Sequence, residues 1–334
     1  MNMSTTGRSP QKPILAYLLA ASHSGSTLLA MLLGSRREVC AVGELKATSL
    51  GDPDAYRCSC GALIRSCAFW NGVSQSMAAR GHAFDITRAG THIPANADRY
   101  ITALLRPLHR GPAIEAVRDA ALSLSPSWRR HLARFQDVNR ALVDTLVERT
   151  GARVVVDSSK VGIRLKYLLR DERLDVRVIR LVRDGRAVAL TYTDPAAYAD
   201  AADPHRRGGG NGSNRDRERL SLEAAAHEWR RSNEEADAIL ARIDPSRHMT
   251  LSYEELCTNT SDALARAWAF LGLSPAAAPA DWRAREHHVV GNGMRFDATN
   301  DVRLDDRWKH ALDARALATF EAEAGALNRR FGYA

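Results

Sequence analysis

Residues 14–34 read ILAYLLAASHSGSTLLAMLLG, and the change of pattern halfway through them decides the fold. Ile14–Ala20 is a continuous apolar run closed by small polar residues, the pattern of a strand covered on both faces in a parallel sheet. From Ser26 to about Gly34 the pattern becomes helical. Leu28, Leu29, Met31, Leu32 and Leu33 supply the packing, and Gly34 supplies the stop.

The same alternation continues outward. Val39–Val42 reads as a second short strand, and residues 50–72 as a loop holding three of the cysteines. Trp128, Leu132, Phe135, Val138, Leu142 and Leu146 recur every three or four positions, which predicts an amphipathic helix over Trp128–Glu148 ended by Gly151. Val154–Val156 is a strand, Ile163–Leu169 a helix and Val176–Val182 a strand. Residues 194–219 carry Pro195, Pro204 and the triplet Gly208–Gly210, and are expected to form a mobile lid loop. A helix over Leu220–Ile243, a strand over His248–Ser252 and a helix over Ser261–Leu271, closed by Gly272 and Pro275, follow. The last helix starts from Asp313 as N-cap, with Leu317, Phe320, Ala324, Leu327 and Phe331 on one stripe. Strands alternating with helices predict an α/β protein of three layers, a central parallel sheet with helices on both faces. A single domain is expected over 13–334, after a flexible N-terminus at 1–12.

The chain of 334 residues is 45% hydrophobic and 26% charged, which excludes a disordered or fibrous class. It has no run of the roughly 20 apolar residues that a membrane span needs. Ile14–Ala21 opens into Ser22–Gly25 instead of a small-residue cleavage site, so a cytoplasmic location is expected. The net charge of +8 admits nucleic acid, a membrane surface or a small polyanion. Its densest basic stretch, His205–Arg207, lies among glycines and interleaved charges, as in a solvated loop, so no nucleic-acid partner is expected. Five cysteines are too few, and odd in number, for a disulfide scaffold.

Chemistry concentrates first in Ala21–Thr27. Gly25 between hydroxyl residues lets successive N–H groups turn inward, and the start of the following helix adds partial positive charge, making an anion cradle. Ser24, Ser26 and Thr27 could donate hydroxyls and His23 a further donor; the plain alternative is a turn capped by Ser24 or Ser26. No Gly-Lys-Ser/Thr is present, which removes the main support for nucleotide hydrolysis. The second element is Arg183, at the carboxyl end of a strand, where ligands bind in open α/β sheets. Arg183-Asp184-Gly185-Arg186 is followed by Thr191 two helical turns on. Two anion-binding elements at strand ends suit a ligand with phosphates at both ends, against a salt bridge from Arg183 to Asp184 or Asp171.

These motifs resemble those of the sulfotransferases that use 3′-phosphoadenosine 5′-phosphosulfate (PAPS), above all bacterial members and the tyrosylprotein branch. His23-Ser24-Gly25-Ser26-Thr27 stands where that family has basic-Ser-Gly-Thr/Ser-Thr, and Arg183 through Thr191 where it has its 3′-phosphate element. Ser252-Tyr253-Glu254-Glu255-Leu256, Phe270-Leu271-Gly272, Gly291–Phe296, Trp308 and Phe331-Gly332-Tyr333 extend the likeness; residues 70–125 match least. Two positions depart: His23 replaces Lys or Arg, and Thr191 replaces Ser. A histidine cation depends on pH, its ordinary pKa being about 6.5.

The resemblance implies a P-loop NTPase-like fold and sulfuryl transfer from PAPS to a hydroxyl or phenol, leaving 3′-phosphoadenosine 5′-phosphate (PAP), with no metal. Glu44, after Gly43, would be the base, and Lys160 with His23 would stabilise the transferring group. Ser158 or Ser159, beside Asp157, would line the phosphosulfate; alternatively Asp157 caps the next helix and Lys160 faces water. Tyr253, Asn292 and Arg295 would contact the nucleotide, and His227, His287 and His288 rank lower as bases. A small-molecule acceptor is expected (phenol, sugar, lipid or natural product), the Ala- and Arg-rich composition pointing to a bacterial source; a homo-oligomer stays open. The alternatives are a non-catalytic nucleotide-binding module and a P-loop-type kinase. Cys58, Cys60 and Cys67 suggest zinc but leave the fourth ligand open between Cys40 and His82; a reduced cluster or a disulfide are the other readings.

Overall fold

The computed structural model describes residues 12–46, 50, 52–95, 97–105, 112–199, 218–297 and 299–334. Five strands, β1 (Ile14–Ala20), β2 (Val39–Gly43), β3 (Val154–Lys160), β4 (Asp175–Val182) and β5 (His248–Ser252), form one sheet in the order β2-β3-β1-β4-β5. Every pairing is parallel, with Ile14 opposite both Val154 and Asp175. All residues of β1 are buried. Leu15, Tyr17 and Leu19 face one core with the long helix Pro126–Thr150, and Ala16, Leu18 and Ala20 face the other with α1 (Ser26–Leu33) and the helix Thr260–Phe270. That two-sided burial is why β1 reads as an uninterrupted apolar run.

Because β1 lies between β3 and β4, the strand order reverses direction there, so the carboxyl ends of β3, β1 and β4 open together. The ladders of β3 with β1 and with β2 both slip near Asp157.

Several elements differ from expectation. β3 continues past Val156 to Lys160, because Asp157, Ser158 and Ser159 are buried and bonded there despite being polar. The loop expected over 50–72 ends early, in a helix Ala68–Ala79 that buries Trp70 and Val73. Tyr253–Thr258 is a short helix capped by Ser252. The C-terminal helix does start from Asp313, but a π-helical turn at Glu321–Gly325 interrupts it. Of the expected lid, Pro195–Tyr198 is a short helix capped by Asp194, and residues 200–217 lie outside the described residues, as do residues 1–11. No described helix is long and apolar enough to cross a membrane.

Candidate functional site

The loop from β1 to α1 turns on Gly25, at φ +85°, the N-cap position. A Cβ there would stand 2.5 Å from Cδ2 of Tyr253, so the left-handed backbone and the aromatic wall both require glycine. No side chain caps α1, so neither Ser24 nor Ser26 is spent on that task. The Ser24 hydroxyl is buried with no partner among the described residues. Ser26 and Thr27 occupy the buried first turn, where the N–H groups lack intrahelical acceptors. His23 has φ 63°, and its ring meets Tyr192 edge-on at 4.6 Å.

Arg183, at the end of β4, reaches this loop directly: its Nη1 donates to the His23 carbonyl at 2.8 Å. Its guanidinium lies over the Tyr253 ring at 4.4 Å, and Nη2 donates to the Asp305 carbonyl and to Oδ2, each at 3.0 Å. The carboxylate partner is thus Asp305, 122 residues away, and not Asp184 or Asp171. Asp184 caps the helix Gly185–Thr193 and pairs with Arg186 at 2.7 Å, while Asp171 pairs with Arg173. The Arg183 Nε is buried with no partner among the described residues. Thr191 is buried and donates to the Ala187 carbonyl at 2.9 Å. The Tyr253 hydroxyl donates to the Arg303 carbonyl and accepts from the Asp305 N–H, both at 3.3 Å, so it ties Gly25 to the segment over Arg183.

The second cluster lies at the ends of β2 and β3. Glu44 is bridged by two lysines, hydrogen-bonded to Lys160 and 3.2 Å from Lys46. Burial alone would raise the Glu44 carboxyl, but the two ammonium groups outweigh it and hold the pKa at about 2. Lys160 is lowered by the same burial, which Glu44 partly offsets. With φ 68°, Lys160 joins His23 as the only described non-glycine residues with positive φ. Such strain is a mark of functional positions.

Asp157 holds this arrangement together. Its carboxylate is fully buried and accepts from Leu45 N (3.2 Å), Ser159 N (2.9 Å), the Ser159 hydroxyl and Arg164 (2.9 Å). It therefore does not cap the next helix, and Lys160 does not face water. Ser159 in turn accepts from Lys46 N at 2.9 Å, whereas the buried Ser158 hydroxyl has no partner among the described residues.

Asn292 caps the turn Gly293–Phe296, its side chain accepting from Met294 N at 2.9 Å. Arg295 is buried between Tyr56 and Phe296 and donates to the Gly291 and Arg57 carbonyls. This segment abuts the loop at Thr27, whose hydroxyl lies 3.5 Å from a Cβ built on Gly291. His227 sits on the surface against Glu323, and His287 is buried against the Trp282 carbonyl. The group beside Cys58, Cys60 and Cys67 is His288, so neither Cys40 nor His82 completes that set.

Sequence reasoning missed Lys46 and Asp305, and it named His288 only as a lower-ranked base, not as the neighbour of the cysteines. Lys46 had a local signal, two residues beyond Glu44 in an extended turn. Asp305 and His288 had none, since each meets its partners across more than a hundred residues.

No family model matches the chain, and no curated protein does. Among solved structures it is similar to the sulfotransferase domain from the curacin biosynthetic pathway, at 17% identity and TM-score 0.46 over 93% of this chain and 97% of that one. It is similar also to the sulfotransferase domain of the Synechococcus PCC 7002 olefin synthase, at 16% and 0.45 over 98% and 99%. A third is retinol dehydratase in complex with androsterone and inactive cofactor PAP, at 14% and 0.37 over 96% and 81%. At such identities and scores these are likenesses only, and the functional reading rests on this chain's own residues.

Proposed function

We propose that the protein transfers a sulfuryl group from PAPS to a hydroxyl or phenol of a small-molecule acceptor. One observation carries the reading: Arg183 donates to the carbonyl of His23, so the two elements expected to hold phosphates meet at neighbouring strand ends. The residues present fit such a nucleotide. The Ser24 and Ser158 hydroxyls and the Arg183 Nε are buried polar groups that still lack partners among the described residues, and an anion satisfies all three types. His23, Ser24, Gly25, Ser26 and Thr27 would hold the phosphosulfate end. Arg183 would hold the 3′-phosphate, joined by Thr191 once its hydroxyl turns from the Ala187 carbonyl, with Tyr253, Asn292 and Arg295 shaping the pocket around them.

When bound, PAPS supplies the sulfuryl group and a phosphate leaving group. Catalysis by this chain is then mainly alignment and stabilisation of negative charge. Lys160 and His23 supply the cationic or N–H donors. Glu44 is the base: its Oε takes the acceptor O–H proton. With a pKa of about 2 it is a weak base while Lys160 holds it. An anion that draws Lys160 away removes the larger of the two stabilising charges, and burial then raises the carboxyl toward a useful basicity. The same exchange prevents Glu44 from accepting a proton before an anion is in place.

The test is calorimetric titration with PAP. Wild type should bind it, and Arg183→Ala should weaken binding about 10–100-fold, the value of a charge-assisted contact. No binding by wild type, or unchanged affinity in Arg183→Ala, would overturn the assignment.

A further inference from the structure

The thiols of Cys58, Cys60 and Cys67 and a ring nitrogen of His288 lie within 4.8 Å of one another. Cys60 Sγ and Cys67 Sγ are 3.8 Å apart, and His288 Nδ1 stands 3.8 Å from Cys58 Sγ and 3.7 Å from Cys67 Sγ. Tetrahedral zinc with Zn–S of about 2.3 Å and Zn–N of about 2.0–2.1 Å requires sulfurs about 3.8 Å apart and sulfur–nitrogen distances of about 3.6 Å. Those three edges meet these lengths to within about 0.2 Å, and the other three are at most 4.8 Å, so the ligand atoms would draw together slightly on a metal.

We propose that Cys58, Cys60, Cys67 and His288 form a closed structural zinc site. Three thiolates and one imidazole favour zinc over the oxygen-seeking cations, and four protein ligands leave no open position for catalysis. On binding, the three thiol protons pass to solvent and His288 stays neutral, coordinating through Nδ1.

The surroundings are arranged as a metal site needs. Cys58 to Ala62 is a tight turn closed by Cys58 N–H to the Ala62 carbonyl (2.9 Å) and Gly61 N–H to the Cys58 carbonyl (2.8 Å), with Gly61 at φ 87°. That turn aims Cys58 and Cys60 at one point. The His288 ring is fixed by stacking on Phe69 at 4.1 Å and 4° between planes. Its far nitrogen Nε2 faces the Glu286 carboxylate at 3.7 Å, the kind of partner that orients a ligating histidine. Cys58 and Cys67 are buried, Cys60 and His288 half-buried.

The site would also matter to its neighbours. Ser59 accepts from Val289 N at 2.8 Å, and Val290 exchanges backbone bonds with Val42 (3.0 Å) and Glu44 (2.9 Å). A metal joining Cys58 to His288 thus clamps the segment that fixes the Glu44 backbone.

The experiment is metal analysis of the full chain, purified reduced and then equilibrated anaerobically with zinc. About one zinc per chain is expected, and cobalt in its place should give the intense thiolate-to-metal charge-transfer band of a sulfur-rich tetrahedral site. Cys60→Ser should bind zinc at least about 100-fold more weakly in competition with a chromophoric chelator, since losing a ligand costs more than losing its orienting partner. His288→Cys should keep the metal and shift the cobalt spectrum, and Cys257→Ser should change neither. Reduced wild-type protein that takes up no zinc would overturn the proposal. So would cobalt without a thiolate band, or undiminished zinc affinity in Cys60→Ser.

Discussion

Asp305 occupies part of the face of Arg183 that a nucleotide phosphate would use, and replacing it with asparagine tests whether the two compete. Burial would raise the Asp305 carboxyl, but the hydrogen bonds from Arg307 and the charge of Arg183 hold its pKa at about 2. It is therefore ionised throughout the range in which binding is measured. A phosphate beside Arg183 would lie roughly 6 Å from that charge. At an effective dielectric of about 40, between the surface and bulk values, a unit pair at that distance repels by about 1.4 kcal/mol. Asp305→Asn should then bind PAP about tenfold more tightly, the factor that this energy represents. The amide keeps a side chain of the same shape whose oxygen can still accept from Arg183, and the lost charge pair with Arg307 is half exposed and of small value. Calorimetry at low and physiological salt is the assay. The advantage of the variant should shrink as salt rises, and should grow between pH 5 and 8, because Asp305 stays ionised there while a phosphate monoester, with its second pKa of about 6, gains negative charge. Equal or weaker binding by a variant that melts like wild type would refute the reasoning, and would make Asp305 an orienting partner of Arg183.

Glu44→Gln should lower turnover about 10²–10⁴-fold, measured with labelled donor, while PAP affinity changes by no more than about twofold. Its effect on stability has a definite sign. The folded carboxyl, at about 2, lies below its unfolded value of about 4.3. Its contribution is thus present above pH 4.3 and is lost as pH falls through 2. Melting temperatures of wild type and Glu44→Gln should therefore differ at neutral pH and converge on acidification. Gly25→Ala should cost about 1–3 kcal/mol through the positive φ and the clash with Tyr253, read as a lowered melting temperature together with weakened PAP binding; an unchanged melt would refute the tight packing of that turn.

The parts of the fold that were legible in the sequence are those where burial forces a pattern. β1 must be apolar on both faces, α1 begins at a glycine-centred turn, and Pro126–Thr150 shows its apolar stripe plainly, so all three were readable. β3 was legible only to Val156. Beyond it the strand is built from Asp157, Ser158 and Ser159, whose burial is stabilised by long-range bonds that periodicity does not record. The candidate site divides in the same way. Gly25 and Arg183 announce themselves through local context. The pairings of Arg183 with Asp305 and of Glu44 with Lys160, and the approach of His288 to the cysteines, are products of chain crossing. A sequence offers the groups, and the topology decides which of them meet.

That distinction also explains why the two strained residues sit where they do. His23 ends the turn that Arg183 grips through its carbonyl, and a left-handed backbone at His23 turns that carbonyl to the guanidinium. Lys160 ends the irregular part of β3, and the same conformation returns its ammonium group to Glu44. Neither would persist without over-determination by its surroundings, since a non-glycine residue in that region costs roughly 1–3 kcal/mol. For Lys160 the restraint is the buried Asp157–Arg164 pair, with Arg164 further bonded to Asn139 at 2.8 Å and to the Thr91 carbonyl. Removing one member of such a pair leaves an uncompensated buried charge, which is costlier than the strain it opposes. The hub is stiff enough to hold Lys160 in a conformation it would otherwise leave, with its ammonium group on Glu44 and 3.3 Å from the Ser158 carbonyl.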